Sequence, residues 1–176
     1  MSMASKIKFK KIKNKSNISE ENSCDGYLID APEKEARKII ASFKDKSIKK
    51  KIALVGRDDA FNRRAVETLK IDYLVSPERD VKRDGLKQRD SGINHVVAKM
   101  AKKKDISIVI DFDEIKKLKG KEKALRLARI MQNIKICRKA KCDIKILGNI
   151  DDKKGLISFV MSLGMSSSQA RDALKF

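Results

Sequence analysis

Asp30, Asp72, Asp111 and Asp113 lie beside short apolar runs of the chain. Carboxylates converging from strand ends could hold a magnesium ion and direct water at a phosphodiester, which is nuclease chemistry. Asp111 and Asp113 follow the run Ile106–Ile110 directly, the place where barrel enzymes carry catalysts. The loop Asp111-Phe112-Asp113-Glu114 suits a helix-capping pair better, and that is the reading adopted. His95 is the only histidine, so the multi-histidine metal site of barrel phosphoesterases cannot be built. The eight glycines include neither GxGxxG nor GxxxxGK[ST], so no nucleotide cofactor, and no cofactor of any kind, is expected.

Two basic features suit binding better than catalysis. Arg89-Asp90-Ser91-Gly92 runs into a helix start, where unpaired backbone N–H groups and the helix dipole attract anions and Arg89 adds a fork for phosphate. A plain capping loop, with His95 packed or bonded to nearby backbone, explains the same residues. Downstream, Arg126, Arg129 and Asn133 recur at spacings of three and four and share a helix face, and Lys135, Arg138 and Lys139 form a second stripe. A solvated helix face is the bland alternative. Arginines in a lysine-dominated chain favour a binding surface, because the guanidinium pairs with phosphate or carboxylate in fixed geometry.

The elements that must position these residues follow a repeated pattern. Gly26–Ile29, Ile52–Gly56, Ile71–Pro77, Ile106–Ile110 and Ile144–Gly148 read as strands, buried on both faces where the apolar run is unbroken. Helices are expected from Pro32 to Phe43, Ala60 to Leu69, Ile93 onwards, Glu122 to Lys141, Lys153 to Leu163 and Ser168 to Leu174. The long helix is expected to bury Leu125, Leu127, Ala128, Met131, Ile134 and Cys137. Strand and helix in alternation imply parallel strands with right-handed crossovers. The fold class is α/β, either an open doubly wound sheet or a small, incomplete TIM-like barrel; a full barrel usually needs about 250 residues. Residues 1–24, rich in lysine, form a basic arm or an edge strand, and residues 25–176 form the barrel-like domain.

Charge selects the class of partner. The 43 Lys and Arg residues exceed the 24 Asp and Glu residues by 19, and nucleic-acid phosphates are the usual counterweight to such an excess. Aromatics make up 5% with no Trp, so phosphate contacts to folded RNA fit better than base stacking. Cys24, Cys137 and Cys142 are too few and wrongly spaced for a disulfide framework or a zinc site, and Cys137 is expected in the core. No apolar stretch approaches a membrane span and no signal core follows the basic N-terminus, so a cytoplasmic protein without a membrane partner is expected.

Asp90-Ser91-Gly92-Ile93-Asn94-His95-Val96-Val97-Ala98-Lys99 resembles the signature of the archaeal ribonuclease P protein component 3 family, the counterpart of a eukaryotic nuclear subunit. Arg126 to Lys139 resembles that family's long helix, and Leu156 to Met165 its C-terminal end. The resemblance runs from about Leu74 to Ala173. It implies a TIM-barrel-like, non-catalytic subunit that binds the catalytic RNA and a small companion protein subunit. Together they would help remove the 5′ leader of precursor tRNA, which the chain would meet only indirectly. Arg89, Ser91, Asn94, His95, Lys99, Arg126, Arg129, Asn133 and Arg138 are the expected RNA- or partner-binding residues, with no catalytic and no metal-binding residue. Where that family has Ser-Leu-Arg-Pro after its fourth strand, this chain has Asp111-Phe112-Asp113-Glu114. The alternatives are a magnesium-dependent nuclease using strand-end aspartates and a general RNA-binding or ribosome-associated module.

Overall fold

Apolar runs of three to five residues, rich in Ile, Val and Leu, alternate with amphipathic helices. A computed structural model describes residues 7–14, 24–45, 50–80, 84, 89–149 and 151–175. In chain order the elements are β1 (Phe9–Ile12), β2 (Gly26–Ile29), α1 (Glu33–Asp45), β3 (Lys51–Val55), α2 (Asp59–Thr68), β4 (Tyr73–Val75), α3 (His95–Lys103), β5 (Ser107–Asp111), α4 (Phe112–Lys117), α5 (Gly120–Ala140), β6 (Ile144–Leu147), α6 (Lys153–Ser162) and α7 (Ser167–Asp172). Phe9–Ile12 is thus a strand, paired in parallel with Gly26–Ile29; of the residues expected to form a basic arm, 1–6 and 15–23 lie outside the described ones.

Strand order decides between the two architectures. The sheet runs β1-β2-β3-β4-β5-β6 with every neighbouring pair parallel. A doubly wound sheet reverses its order at a switch point; this one never does, which is barrel connectivity. The two faces agree. Ile12, Ile29, Leu54, Leu74 and Ile108 pack outward with residues of α1, α2 and α3. Ala53, Tyr73, Val75 and Val109 pack with Ile7, Phe9, Leu28 and Leu147, and among the described residues no helix residue joins them. In a flat sheet β1 and β4 would lie about 14 Å apart, at roughly 4.8 Å per strand. Yet the Phe9 and Tyr73 rings meet edge to face with centroids 5.8 Å apart. The sheet is therefore curled around an interior filled by strand side chains, as in a TIM barrel. Among the described residues β6 does not pair with β1, so the barrel stays open.

The capping role expected of Asp111 is found, but the helix it caps was not among the expected elements, and the buried face of α5 differs from the expected one. Asp111-Phe112-Asp113-Glu114 starts a short helix, α4, with Asp111 accepting from the Glu114 N–H at 3.0 Å. The face of α5 is also turned. Leu125 and Met131, expected inside, are 37% and 38% exposed, whereas Arg126 and Asn133 are buried with Ile130, Ile134 and Cys137. The buried stripe keeps helical spacing, but two of its members are polar because a buried carboxylate waits for them.

Tyr73→Ala would empty the centre of the barrel. Removal of a large buried aromatic costs about 3–5 kcal/mol, so urea denaturation should show a loss of that size with secondary structure retained.

Candidate functional site

The site is assembled around Glu78. Just past β4 the chain turns at Ser76, a non-glycine residue at φ 49, and carries Glu78 inward to 1% exposure. Arg126 Nε donates to Glu78 Oε1 at 2.9 Å, its Nη2 donates to Glu114 Oε2 at 2.7 Å, and Asn133 Nδ2 reaches Glu78 Oε2 at 3.4 Å. Burial pushes the Glu78 carboxyl above the usual carboxylate range, while the Arg126 charge and hydrogen bond pull it down. Two ion pairs through Arg126 thus tie the end of β4 to α4 and α5.

The same residues clamp the segment Arg89–Ile93. Asn133 Nδ2 also donates to the Ser91 carbonyl at 3.0 Å, and Gln132 Nε2 donates to the Arg89 carbonyl at 2.8 Å. From the other side, Asn62 Nδ2 donates to the Gly92 and Pro77 carbonyls, each at 2.9 Å. Gly92 has φ 78, and a Cβ there would fall 1.9 Å from the Pro77 carbonyl oxygen, so this position needs glycine. Ser91 is 1% exposed and its hydroxyl donates to the Ile93 carbonyl at 3.3 Å. Asn94 caps α3, accepting from the Val96 and Val97 N–H groups at 3.0 Å. Those are the groups expected to attract an anion, and the Asn94 side chain already occupies them.

What this frame presents to solvent is a groove between α3 and α5. The two helices pack through Val97, Ala101 and Cys137, with Ile136 and Ala140 against them. Above that contact lies a hollow of about 490 Å³, edged by His95, Lys99, Gln132, Lys135 and Lys139. All of these except Gln132 are exposed. Lys99, Lys135 and Lys139 have no ion-pair or hydrogen-bond partner among the described residues. Three uncompensated ammonium groups around an apolar floor suit a polyanion held by its phosphates.

The expected residues therefore divide. His95 and Lys99 face the groove, and Arg89 is exposed beside it. Ser91, Arg126 and Asn133 are buried, which corrects the expectation of a solvent-facing arginine stripe: they satisfy Glu78 and the loop carbonyls. Arg129 lies against Asp84 at 3.4 Å. Arg138 holds the Gly164 carbonyl and, at 3.2 Å, Gln169 Oε1, so it braces the turn between α6 and α7. Sequence reasoning missed Glu78, which lies in a charged run with no local sign of burial, and also Gln132 and Asn62.

The strand-end carboxylates are spoken for. Asp30 sits beside Lys11 at 2.9 Å, Arg57 at 3.5 Å and Arg79 at 3.7 Å. Burial opposes its ionisation, but the three cations outweigh that and hold its carboxyl below the usual range. Asp72 lies just before β4, at the opposite end of the barrel, with Lys51 at 2.7 Å. Asp113 pairs with Lys116 at 2.7 Å and accepts from the Asn149 N–H at 2.9 Å. Among the described residues no three His, Cys, Asp or Glu side chains converge on a point where a metal could sit.

Similarity to known proteins follows this geometry. No family model matches the chain. A protein named ribonuclease P protein component 3 from Thermococcus gammatolerans is 27% identical over 144 residues, 78% of this chain and 64% of its own length. Its namesake in Methanocaldococcus jannaschii is 32% identical over 92 residues, 52% of this chain and 37% of its own. A chain from a cryo-EM structure of archaeal ribonuclease P with mature tRNA superposes with a TM-score of 0.66 at 27% identity, over 84% of this chain and 63% of that one. This chain is related to ribonuclease P protein component 3. It spans about 64% of the length of the first component 3 relative and less of the second. An uncharacterized protein of known crystal structure shares only the fold, with a TM-score of 0.57 at 12% identity. A chain of that archaeal ribonuclease P structure thus shares the parallel α/β fold described above. Among the described residues no helix is long and apolar enough to cross a membrane.

Arg126→Met would strand Glu78 in the core. Breaking a buried pair costs about 3–5 kcal/mol, so a loss of that size is expected at neutral pH. With the guanidinium gone, the Glu78 carboxyl rises further above its ordinary value of 4.5. An acid raised in the folded state binds its proton more tightly there than in the unfolded chain, so stability falls as pH climbs through that window. The deficit of the variant should therefore shrink in urea titrations at acidic pH; an equal deficit at all pH values would contradict the assignment.

Proposed function

We propose that this chain serves as a non-catalytic protein subunit of ribonuclease P, assisting the catalytic RNA that cleaves the 5′ leader from precursor tRNA. The observation carrying this reading is the groove between α3 and α5. It is lined by Lys99, Lys135 and Lys139 without partners among the described residues, and it is built from the segments that resemble component 3. These lysines, with His95 and Arg89, meet RNA phosphates directly. Ser91, Asn94, Arg126, Arg129, Asn133 and Arg138 act as positioning residues that hold the loop and helix in place. A companion protein subunit is the second partner, and the exposed Leu125 and Met131 on α5 offer it apolar contact. Cleavage belongs to the RNA, in a cytoplasmic ribonucleoprotein. The magnesium-nuclease reading finds no support, since Asp111 caps α4 and Asp72 lies at the far end of the barrel.

The test is cleavage of precursor tRNA by the reconstituted catalytic RNA and its other protein subunits at low magnesium, with and without this chain. A gain in rate, with no cleavage by the chain alone, is expected; cleavage by the chain alone that is lost on Asp111→Ala would reverse the reading. Replacing Lys99, Lys135 and Lys139 with Ala should weaken RNA binding without unfolding the chain. The slope of log affinity against log salt should fall by about one for each phosphate that no lysine neutralises any longer. An unchanged slope would move the RNA to another face.

A further inference from the structure

Three helices of this chain end in the same way. After α3, α5 and α6 the backbone enters the left-handed region at Asp105 (φ 55), Lys141 (φ 54) and Gly164 (φ 108). The next residue's N–H then returns to a carbonyl of the last turn: Ile106 to Ala101 at 2.9 Å, Cys142 to Cys137 at 2.9 Å and Met165 to Val160 at 3.1 Å. This is the Schellman turn, which brings those two side chains into contact, commonly an apolar one. At α3 the pair is Ala101 with Ile106 and at α6 it is Val160 with Met165, all buried. At α5 it is two thiols. Cys137 and Cys142 are 0% and 4% exposed, and the Cys142 S–H donates to the Ile106 carbonyl at 3.6 Å.

The thiol pair differs from the apolar pairs in its surroundings. It lines a cleft of about 310 Å³ together with Arg138, Lys141 and Lys145, so a small oxidant has a route to it. The neighbouring Cys137 lowers the Cys142 thiol, and Lys102 assists, while the neighbouring Cys142 and burial push Cys137 well up. Two thiols held together by a turn, one of them lowered, form an arrangement in which one sulfur attacks and the other resolves.

We propose that Cys137 and Cys142 form a reversible dithiol–disulfide site, oxidised by hydroperoxides, at the end of α5. The Cys142 thiolate attacks one peroxide oxygen; an S–O bond forms, the O–O bond breaks, and the released hydroxide takes up the proton Cys142 had lost. The Cys137 sulfur then attacks the Cys142 sulfur; the S–S bond forms, the S–O bond breaks, and hydroxide leaves as water with the Cys137 proton. Two thiols and one hydrogen peroxide give one disulfide and two waters, the sulfurs losing the electrons that the peroxide oxygens gain. The bond closes across a turn whose backbone already holds the two residues together, so little movement is required. Arg138, on the same turn, braces the connection between α6 and α7, and closure locks that brace to the start of β6.

The test needs no substitution to begin with. The full chain, reduced and desalted, is treated with hydrogen peroxide, unfolded, alkylated and mapped by mass spectrometry. The expected product has lost two hydrogens, carries a Cys137–Cys142 cross-link, retains an alkylatable Cys24, and returns to the dithiol with dithiothreitol. Cys24→Ser should behave identically. Cys142→Val, which copies the apolar pairing at the other two turns, should keep the fold and its circular-dichroism spectrum but form no intramolecular disulfide. Recovery of both thiols in alkylated form, over-oxidation without cross-linking, or pairing of either with Cys24 would each overturn the proposal and leave the pair as packing.

Discussion

Everything that faces the α3–α5 groove hangs on one buried ion pair. Glu78 leaves the sheet at the end of β4 and would be costly inside an apolar core. Arg126 and Asn133 offset that cost, and in doing so set the rotation of α5 about its own axis. Once that rotation is set, Asn133 meets the Ser91 carbonyl and Gln132 the Arg89 carbonyl, so the loop takes one position. Lys135 and Lys139 then come to lie opposite His95 and Lys99. The lysines around the groove are thereby held in place by buried residues beneath them.

The excess of 19 positive charges is not spread evenly in its consequences. At the carboxyl ends of the strands the cations are compensated: Asp30 gathers Lys11, Arg57 and Arg79, and Arg126 lies between Glu78 and Glu114. The mouth where related folds perform chemistry is here closed by internal pairing. The uncompensated lysines lie on the helical exterior. On the proposed reading the barrel serves as a carrier for a binding surface on its outer layer.

Much of this was legible in the sequence because it depends on local pattern. Uninterrupted runs such as Ile52–Gly56 and Ile106–Ile110 read as strands covered on both faces, and Asp111 ahead of Phe112-Asp113-Glu114 reads as a cap. The curl of the sheet was implied by the family resemblance but not by local pattern, since Phe9 and Tyr73 are far apart in the chain and meet only inside the barrel. Nor was the face of α5, where two stripes at helical spacing compete. One is apolar through Leu125 and Met131; the other contains Arg126 and Asn133. Hydropathy favours the first, and a carboxylate almost fifty residues upstream, |i−j| of 48, selects the second. The cysteines likewise look unpaired along the chain until the left-handed turn at Lys141 folds one onto the other.

The last strand carries a protection of its own. The outward amide of Ile146 donates to the Ala173 carbonyl at 2.8 Å, and Lys145 Nζ donates to the Asp172 carbonyl at 3.1 Å. An open barrel exposes an edge that could template another chain's strand, and that is how sheets seed insoluble aggregates. The terminus of α7 occupies that position first. Loosening this short C-terminal helix would therefore surface as precipitation at high concentration well before it surfaced as unfolding.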